Sequence, residues 1–367
     1  MRIAIDIRPL LEPHRAGVSL YTLNLLWHLA ARKAHDYALF CNSSRLPLPE
    51  DVPPGTEKFF TRWPNRGLNA CFALLGRPRL ERLTGGADLV WLPNLNFAAA
   101  DVPLVVTVHD LSFVRYPEFF SFKQRAWHRA VRVERMLRRA ESVVAVSNHT
   151  KEDVCELFGT DEDKVAVVPP AAGQEFVRRG ADEVAAVRAK YGLPERFVLY
   201  LGTLEPRKNV TGLIRAFDAA ETGDTELVLA GGRGWLYRRI FHAAAESAKR
   251  DRIRFLGYVD EADKPALYSA ATVFAYPSFY EGFGMPALEA LACGVPVLAS
   301  HTSSLGEVVG NAGLLVNPSN GEEMALGLSE LLGDARLRAE LAAAGPKRAY
   351  LFSWDRSAAR LERAFEG

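Results

Sequence analysis

Cysteine is scarce in this 367-residue sequence, and what there is does not cluster: Cys41, Cys71, Cys155 and Cys293 stand far apart, with no Cys-x-x-Cys pair. That spacing argues against a zinc module and against a disulfide framework, and it suits a reducing cytosol. Long hydrophobic runs are lacking too. No uninterrupted apolar stretch approaches the ~20 residues needed to span a bilayer. In Arg2-Ile3-Ala4-Ile5-Asp6-Ile7-Arg8 charges break up any signal-peptide core. The expectation is a cytoplasmic protein, in solution or peripheral on the inner face of the plasma membrane. Net charge is small, +1 at pH 7, so no global field invites nucleic acid. No G-x-S-x-G elbow and no G-x-x-x-x-G-K-[ST] loop occurs, which removes most support for a serine hydrolase or a P-loop ATPase. No Asp-x-Asp stands at a strand end; Asp161-Glu162-Asp163 precedes a strand-like run and reads as an exposed turn.

What is present describes a globular chain, with 49% hydrophobic and 24% charged residues. Its length suits two domains of roughly 170 residues each. Short apolar runs recur with helical stretches between many of them. The first half has Ile3–Asp6, Tyr37–Cys41, Asp88–Pro93, Leu104–Asp110, Ser142–Ser147 and Val165–Pro169. The second has Phe197–Leu204, Glu226–Ala230, Ile253–Val259, Thr272–Pro277, Pro296–Ser300 and Gly313–Val316. Near-continuous hydrophobicity suits strands buried on both faces of parallel sheets. The expected fold class is α/β, two Rossmann-like doubly wound domains facing across a cleft. Residues 1–173 are expected as the first domain and 174–352 as the second, with the break at Pro169-Pro170-Ala171-Ala172-Gly173. Residues 353–367 form a helix packing back toward the first domain.

In such folds ligands bind beyond the carboxyl ends of the strands, and unusual residues cluster there. The most specific group is Glu281-Gly282-Phe283-Gly284-Met285-Pro286-Ala287-Leu288-Glu289, directly after the run ending at Pro277. The glycines make a tight turn, and Pro286 fits a first helical turn, where its missing N–H costs nothing. Glu281 then stands at the helix entrance with Glu289 inside, two acceptors suited to sugar hydroxyls. A glycine turn with a capping acid is the plainer reading. Gly282, Gly284 and Ala287 also satisfy G-x-G-x-x-A, although Glu281 would crowd a dinucleotide's pyrophosphate.

The second group is Gly202-Thr203-Leu204-Glu205-Pro206-Arg207-Lys208-Asn209, at the end of the first strand of the second domain. Two neighbouring cations beside a helix start make a diphosphate site, with a fork from Arg207 and a point charge from Lys208. Solvated loop cations are the alternative. In the first domain, Ala16-Gly17-Val18 opens a helix after the first strand, and Gly17 allows a phosphate or sugar close to the backbone. His109 ends the fourth run and can donate to a sugar hydroxyl or donor phosphate, or be structural. Asp110 either orients it or caps the next segment.

Taken together these residues resemble the family 4 retaining glycosyltransferases of the glycosyltransferase-B fold, along nearly the whole chain and with a mannosyltransferase-like wording. The resemblance implies that Arg207 and Lys208 bind the donor diphosphate and that Glu289 holds the ribose. It implies further that Glu281 takes hydroxyls of the transferred sugar, that His109 lies by the reacting sugar, and that Gly17 offers a backbone N–H near the phosphate. Gly202, Gly282, Phe283 and Gly284 belong to the donor loops. Retention at the anomeric carbon follows, with no cofactor and no metal ion. Two departures, Pro169-Pro170-Ala171-Ala172-Gly173 and Gly306 before Glu307, touch no proposed catalytic group.

The implied donor is a nucleotide sugar, GDP-mannose or UDP-glucose and its relatives, and the implied acceptor a glycan or lipid-linked glycan in bacterial surface-polysaccharide assembly. An epimerase of the same fold, a nucleotide-sugar-binding protein without turnover and an NAD-dependent oxidoreductase stay open. Residues 58–82 carry six basic residues against Glu81, interleaved with Phe59, Phe60, Trp63, Phe72, Leu74 and Leu75. Residues 115–139 carry eight against Glu118 and Glu134. Such stretches suit an anionic membrane surface or are a solvated face over core aromatics. Neither comes with a nucleic-acid motif.

Overall fold

The computed structural model describes residues 1–11 and 17–367. It forms two compact units, one of Met1–Pro170 with Ser353–Gly367, the other of Ala171–Phe352. The division thus falls between Pro170 and Ala171 rather than after Gly173.

Among the described residues of the first unit seven strands form one sheet: β1 (Arg2–Asp6), β2 (Asp36–Asn42), β3 (Glu57–Thr61), β4 (Leu89–Leu92), β5 (Leu104–Val108), β6 (Ser142–Ala145) and β7 (Val165–Val167). Their order is β3-β2-β1-β4-β5-β6-β7, every pair parallel. The β-branched runs read from the sequence are buried on both faces, and Ile3, Ile5, Val105, Val106, Val143 and Val144 are fully enclosed. One strand escaped that reading. β3 pairs with β2 through Phe40↔Phe59 and Cys41↔Phe60, so Phe59 and Phe60 belong to a half-buried edge strand. Phe72 likewise lies in the core.

The helix Trp354–Glu366 packs against the helix Gly17–Arg32, with Arg32 Nε donating to Glu362 Oε2 at 2.6 Å. Ser357 Oγ donates to the Pro169 carbonyl at 2.5 Å, and Phe365 meets Trp91 with ring centroids 5.9 Å apart. The chain's last segment thus closes the first unit. Among the described residues no helix is long and apolar enough to cross a membrane.

The second unit has six strands: β8 (Phe197–Leu201), β9 (Glu226–Ala230), β10 (Ile253–Gly257), β11 (Val273–Tyr276), β12 (Val297–Ser300) and β13 (Leu314–Val316). Their order is β10-β9-β8-β11-β12-β13, again all parallel. Chain order reverses direction between β8 and β11. At such a switch point the loops leaving two adjacent strands diverge to opposite faces and open a crevice. The loop after β8 carries Gly202–Asn209 and the loop after β11 carries Glu281, so the topology itself delivers the two most informative motifs to one spot.

Candidate active site

Each loop ends in a helix whose start is written in the sequence. After β8 a short turn over Pro206–Lys208 leads to the helix Val210–Ala219, with Asn209 as the residue before it in a left-handed conformation, φ 55°. Asparagine tolerates that region better than most residues. Its side-chain amide donates to the Pro318 carbonyl at 2.7 Å, which fixes the turn. After β11 the helix Met285–Ala292 starts beyond Gly284, with Pro286 in its first turn. Gly284 has φ +102°, and a Cβ there would lie 2.5 Å from Leu305 Cδ2. Only glycine fits.

These two loops bring Arg207, Lys208 and Glu281 into direct contact. The Lys208 ammonium donates to Glu281 Oε1 at 2.6 Å and to the Tyr276 hydroxyl at 2.7 Å. Arg207 donates to Glu281 Oε2 at 3.0 Å, to the Tyr280 carbonyl at 2.7 Å and to Glu205 Oε1 at 2.8 Å. Two cations and two carboxylates are thus interleaved, and all four side chains are nearly excluded from solvent. Solvated loop cations are ruled out.

Burial pushes the Glu281 carboxyl up, but Lys208 and Arg207 outweigh it and hold it down at about 2. Burial and the adjacent Arg207 lower the Lys208 ammonium, with Glu281 and Glu205 opposing. Among the described residues two of its three N–H bonds find acceptors, the Tyr276 hydroxyl and Glu281. A polyanion arriving here meets cations already oriented by carboxylates, so little reorganisation is needed.

Glu289 does not join this cluster. It is buried in the helix Met285–Ala292, where the Tyr268 hydroxyl donates to its Oε2 at 2.8 Å. Burial raises its carboxyl to about 7, with Lys264 and Tyr268 opposing. Phe283 is buried and meets the Phe352 ring edge-on, centroids 5.4 Å apart, which makes it a packing residue of the turn.

Several members of the site were not legible as such. Glu205 and Tyr276 are the buried partners of the cations, and the order of residues signals neither role. Hydroxyls after β12 stitch the Glu281 loop in place. Ser303 Oγ accepts the Glu281 N–H at 2.9 Å, and Ser304 Oγ donates to the carbonyls of Glu281 and Phe283, both at 2.8 Å. Ser303 adopts φ 55°, ψ −144°, a strained conformation of the kind that collects at functional sites. The run Ser300-His301-Thr302-Ser303-Ser304 just past a strand was the available signal. The turn Gly231-Gly232-Arg233-Gly234 after β9 was another. A Cβ on Gly231 would lie 2.0 Å from the Gly202 carbonyl oxygen, so close backbone approach is what the Gly202 loop demands of its neighbour.

In the first unit His109 follows β5. Its Nε2 is 2.7 Å from the Pro93 carbonyl, which can only accept, so Nε2 carries the proton and Nδ1 is the ring's acceptor. Burial lowers its pKa, with the Pro93 contact and Asp110 opposing, and the ring packs edge-on against Tyr21 at 4.9 Å. The neutral ring therefore offers a lone pair, which corrects the expectation of a donor. Asp110 caps, accepting from the Ser112 N–H at 3.0 Å and hydroxyl at 2.6 Å, and does not orient His109. Gly17 opens the helix Gly17–Arg32, and a Cβ there would meet no described atom within 4 Å. Ala16 lies outside the described residues. The charged pair ending β1 was also missed: Arg8 donates to Asp6 Oδ2 at 2.6 Å and to the Phe97 carbonyl at 2.7 Å.

Comparison with known proteins adds to this geometry. Residues 185–348 match the model described as glycosyl transferases group 1, and residues 15–172 the model described as glycosyltransferase family 4. An O-antigen chain mannosyltransferase B of Escherichia coli is 31% identical over the full length of both chains. A D-inositol 3-phosphate glycosyltransferase of Salinispora tropica is 31% identical over 97% of this chain and 82% of its own. Among solved structures, Anabaena HepE in complex with UDP-glucose superposes with a TM-score of 0.78 at 21% identity, covering all of this chain and 99% of that one.

Proposed function

The chain belongs to the family 4 glycosyltransferases, and on that premise we propose that it is a retaining enzyme that moves a hexose from a nucleotide sugar to a glycan acceptor. The observation that carries this reading is the contact of Lys208 and Arg207 with Glu281 at the β8/β11 switch point. The diphosphate of the donor lies against Arg207 and Lys208 and shares them with Glu281 and Glu205. As the bond to the anomeric carbon breaks, negative charge grows on the departing phosphate. Cations already aimed there contribute on the order of 3 kcal/mol each to the transition state.

Glu281, ionised and held by both cations, accepts from hydroxyls of the transferred sugar. Glu289 has Oε2 engaged by Tyr268 and gives Oε1 to the ribose. Gly202, Gly282 and Gly284 keep backbone free of side chains along the donor. Gly17 offers a backbone N–H to the phosphate. His109, neutral with Nδ1 as acceptor, takes a hydroxyl hydrogen of the reacting sugar. The acceptor attacks from the face the phosphate leaves, and the phosphate helps remove its proton, so configuration is retained. No metal ion takes part, because the cationic side chains carry its role.

Mannose from GDP-mannose is the first candidate donor, supported by the O-antigen mannosyltransferase aligned over its whole length. The acceptor is a lipid-linked glycan of bacterial surface polysaccharide, reached at the cytoplasmic leaflet by the basic stretches of the first unit. A thermal-shift panel of nucleotide sugars with and without EDTA, followed by turnover on a lipid-linked oligosaccharide, tests the proposal. GDP-mannose should give the largest shift and EDTA no change. Turnover without acceptor, or a shift dependent on a divalent ion, contradicts it.

A further inference from the structure

The first unit holds two adjoining cavities, and neither Gly17 nor His109 lines them. One, of about 360 Å³, opens beside the segment 72–76 and the helices Phe122–Val131 and Val133–Arg139; Phe72, Leu104, Val131 and Met136 supply apolar walls. The other, of about 400 Å³, is walled by Trp63, Cys71 and Pro78. Leu75 and Arg79 line both. These volumes match small-molecule sites, typically ~300–1,000 Å³. Leu74 and Leu75, which both line the first cavity, are 79% and 71% exposed, so adjacent apolar side chains stand open to solvent at its mouth. The two basic stretches thus converge on one apolar recess.

The cations around the first cavity fall into two sets. Arg79 pairs with Asp101 at 2.9 Å, and the Arg139 guanidinium donates to the Ala100 carbonyl. Arg132 and Arg135, on the same rim, have no carboxylate partner among the described residues. Arg132 also has φ 56°, a left-handed conformation that interrupts the two helices. Its backbone N–H closes the first of them on the Arg129 carbonyl, and this turn brings Arg132 and Arg135 to the same rim. Apolar walls beneath two uncompensated guanidinium groups complement one kind of molecule, a hydrocarbon chain ending in a phosphate. Free phosphate would leave the walls wet, and a neutral lipid would leave the arginines unanswered.

We propose that these cavities take one hydrocarbon chain of an anionic membrane lipid, with Arg132 and Arg135 receiving its phosphate. The proposal rests on the reading that the first unit meets a membrane, and it turns a diffuse basic surface into a site with one-to-one stoichiometry.

The test is calorimetric titration of the full chain with monododecyl phosphate below its critical micelle concentration. Dodecyl maltoside and inorganic phosphate serve as controls, beside co-sedimentation with phosphatidylglycerol vesicles. One-to-one saturation is expected with dodecyl phosphate alone. It should weaken at least tenfold in the Arg132→Gln/Arg135→Gln double variant and be lost in Ala130→Trp, which fills the recess from an exposed helix position. Both variants should keep the wild-type melting temperature and transfer rate on a soluble acceptor. Absence of saturable binding, equal binding of dodecyl maltoside, or indifference to the arginine pair overturns the site. Vesicle binding that survives while dodecyl phosphate fails overturns the lipid site and leaves the membrane reading standing. No vesicle binding by the wild type overturns the membrane reading and this assignment with it.

Discussion

Lys208 Nζ lies 2.6 Å from Glu281 Oε1, although the two residues stand 73 positions apart in the chain. The contact exists because a doubly wound sheet sets β8 beside β11, so the loops leaving them emerge together. It is a buried ion pair, with Arg207 bound to the other oxygen of the same carboxylate. Breaking such a pair from one side leaves an uncompensated buried charge, at about 3–5 kcal/mol.

That cost has a pH signature. Glu281 is held down to about 2 in the folded chain, below the ordinary carboxylate value of 4.5. A depressed folded-state value stabilises the protein above the unfolded value, and the contribution is lost as pH falls from about 4.5 to about 2. In Glu281→Gln this acid-dependent component should vanish, stability at pH 7 should fall by about 3 kcal/mol, and turnover should drop roughly 10²-fold. Urea melts from pH 2.5 to 7 check the first two; a variant that keeps the wild-type acid slope contradicts the pairing.

Glu289 has the opposite sign. Burial raises it to about 7, so between about 4.5 and 7 the native state binds more protons than the unfolded chain. Its contribution therefore favours the fold at low pH and declines as pH rises through that window, by on the order of 3 kcal/mol in total. Glu289→Gln should flatten this component. If Oε1 accepts from the ribose, donor KM should fall as pH rises through 7 in the wild type and not in the variant. A wild-type KM independent of pH from 5.5 to 8.5 would count against the ribose role.

His109 is neutral at physiological pH because burial lowers it. His109→Phe keeps a ring against Tyr21 and removes Nδ1. The expected loss in kcat is roughly 10–10²-fold, with the melting temperature close to the wild type's. Steady-state kinetics on the purified variant decide it; unchanged kcat assigns the ring to packing.

How far the chain could be read from its letters depended on whether the signal was local. Strands such as β5, β8 and β11 are short β-branched or aromatic runs buried on both faces, and that composition is diagnostic. β3 is harder to read because an edge strand is half exposed, so Lys58, Phe59 and Phe60 lack the two-sided apolar composition of the inner strands. In the candidate site, Arg207, Lys208, Glu281 and Glu289 stood out by motif. Which of them touch did not. Glu281 and Glu289 share a loop and helix, yet one is caught between cations and the other lies against Tyr268. Pairing of that kind is a property of three-dimensional neighbours. The same holds for Glu205, Tyr276 and Ser303, each ordinary in sequence and decisive in place.

The central claim is that Arg207 and Lys208 grip a diphosphate, and calorimetric binding of GDP and UDP against their parent nucleosides tests it most directly. In the wild type at least one nucleoside diphosphate should bind 10²-fold or more tightly than its nucleoside, and in Lys208→Met that ratio should collapse toward unity with nucleoside affinity unchanged. A Lys208→Met protein that folds and still prefers the diphosphate by the wild-type margin contradicts the account.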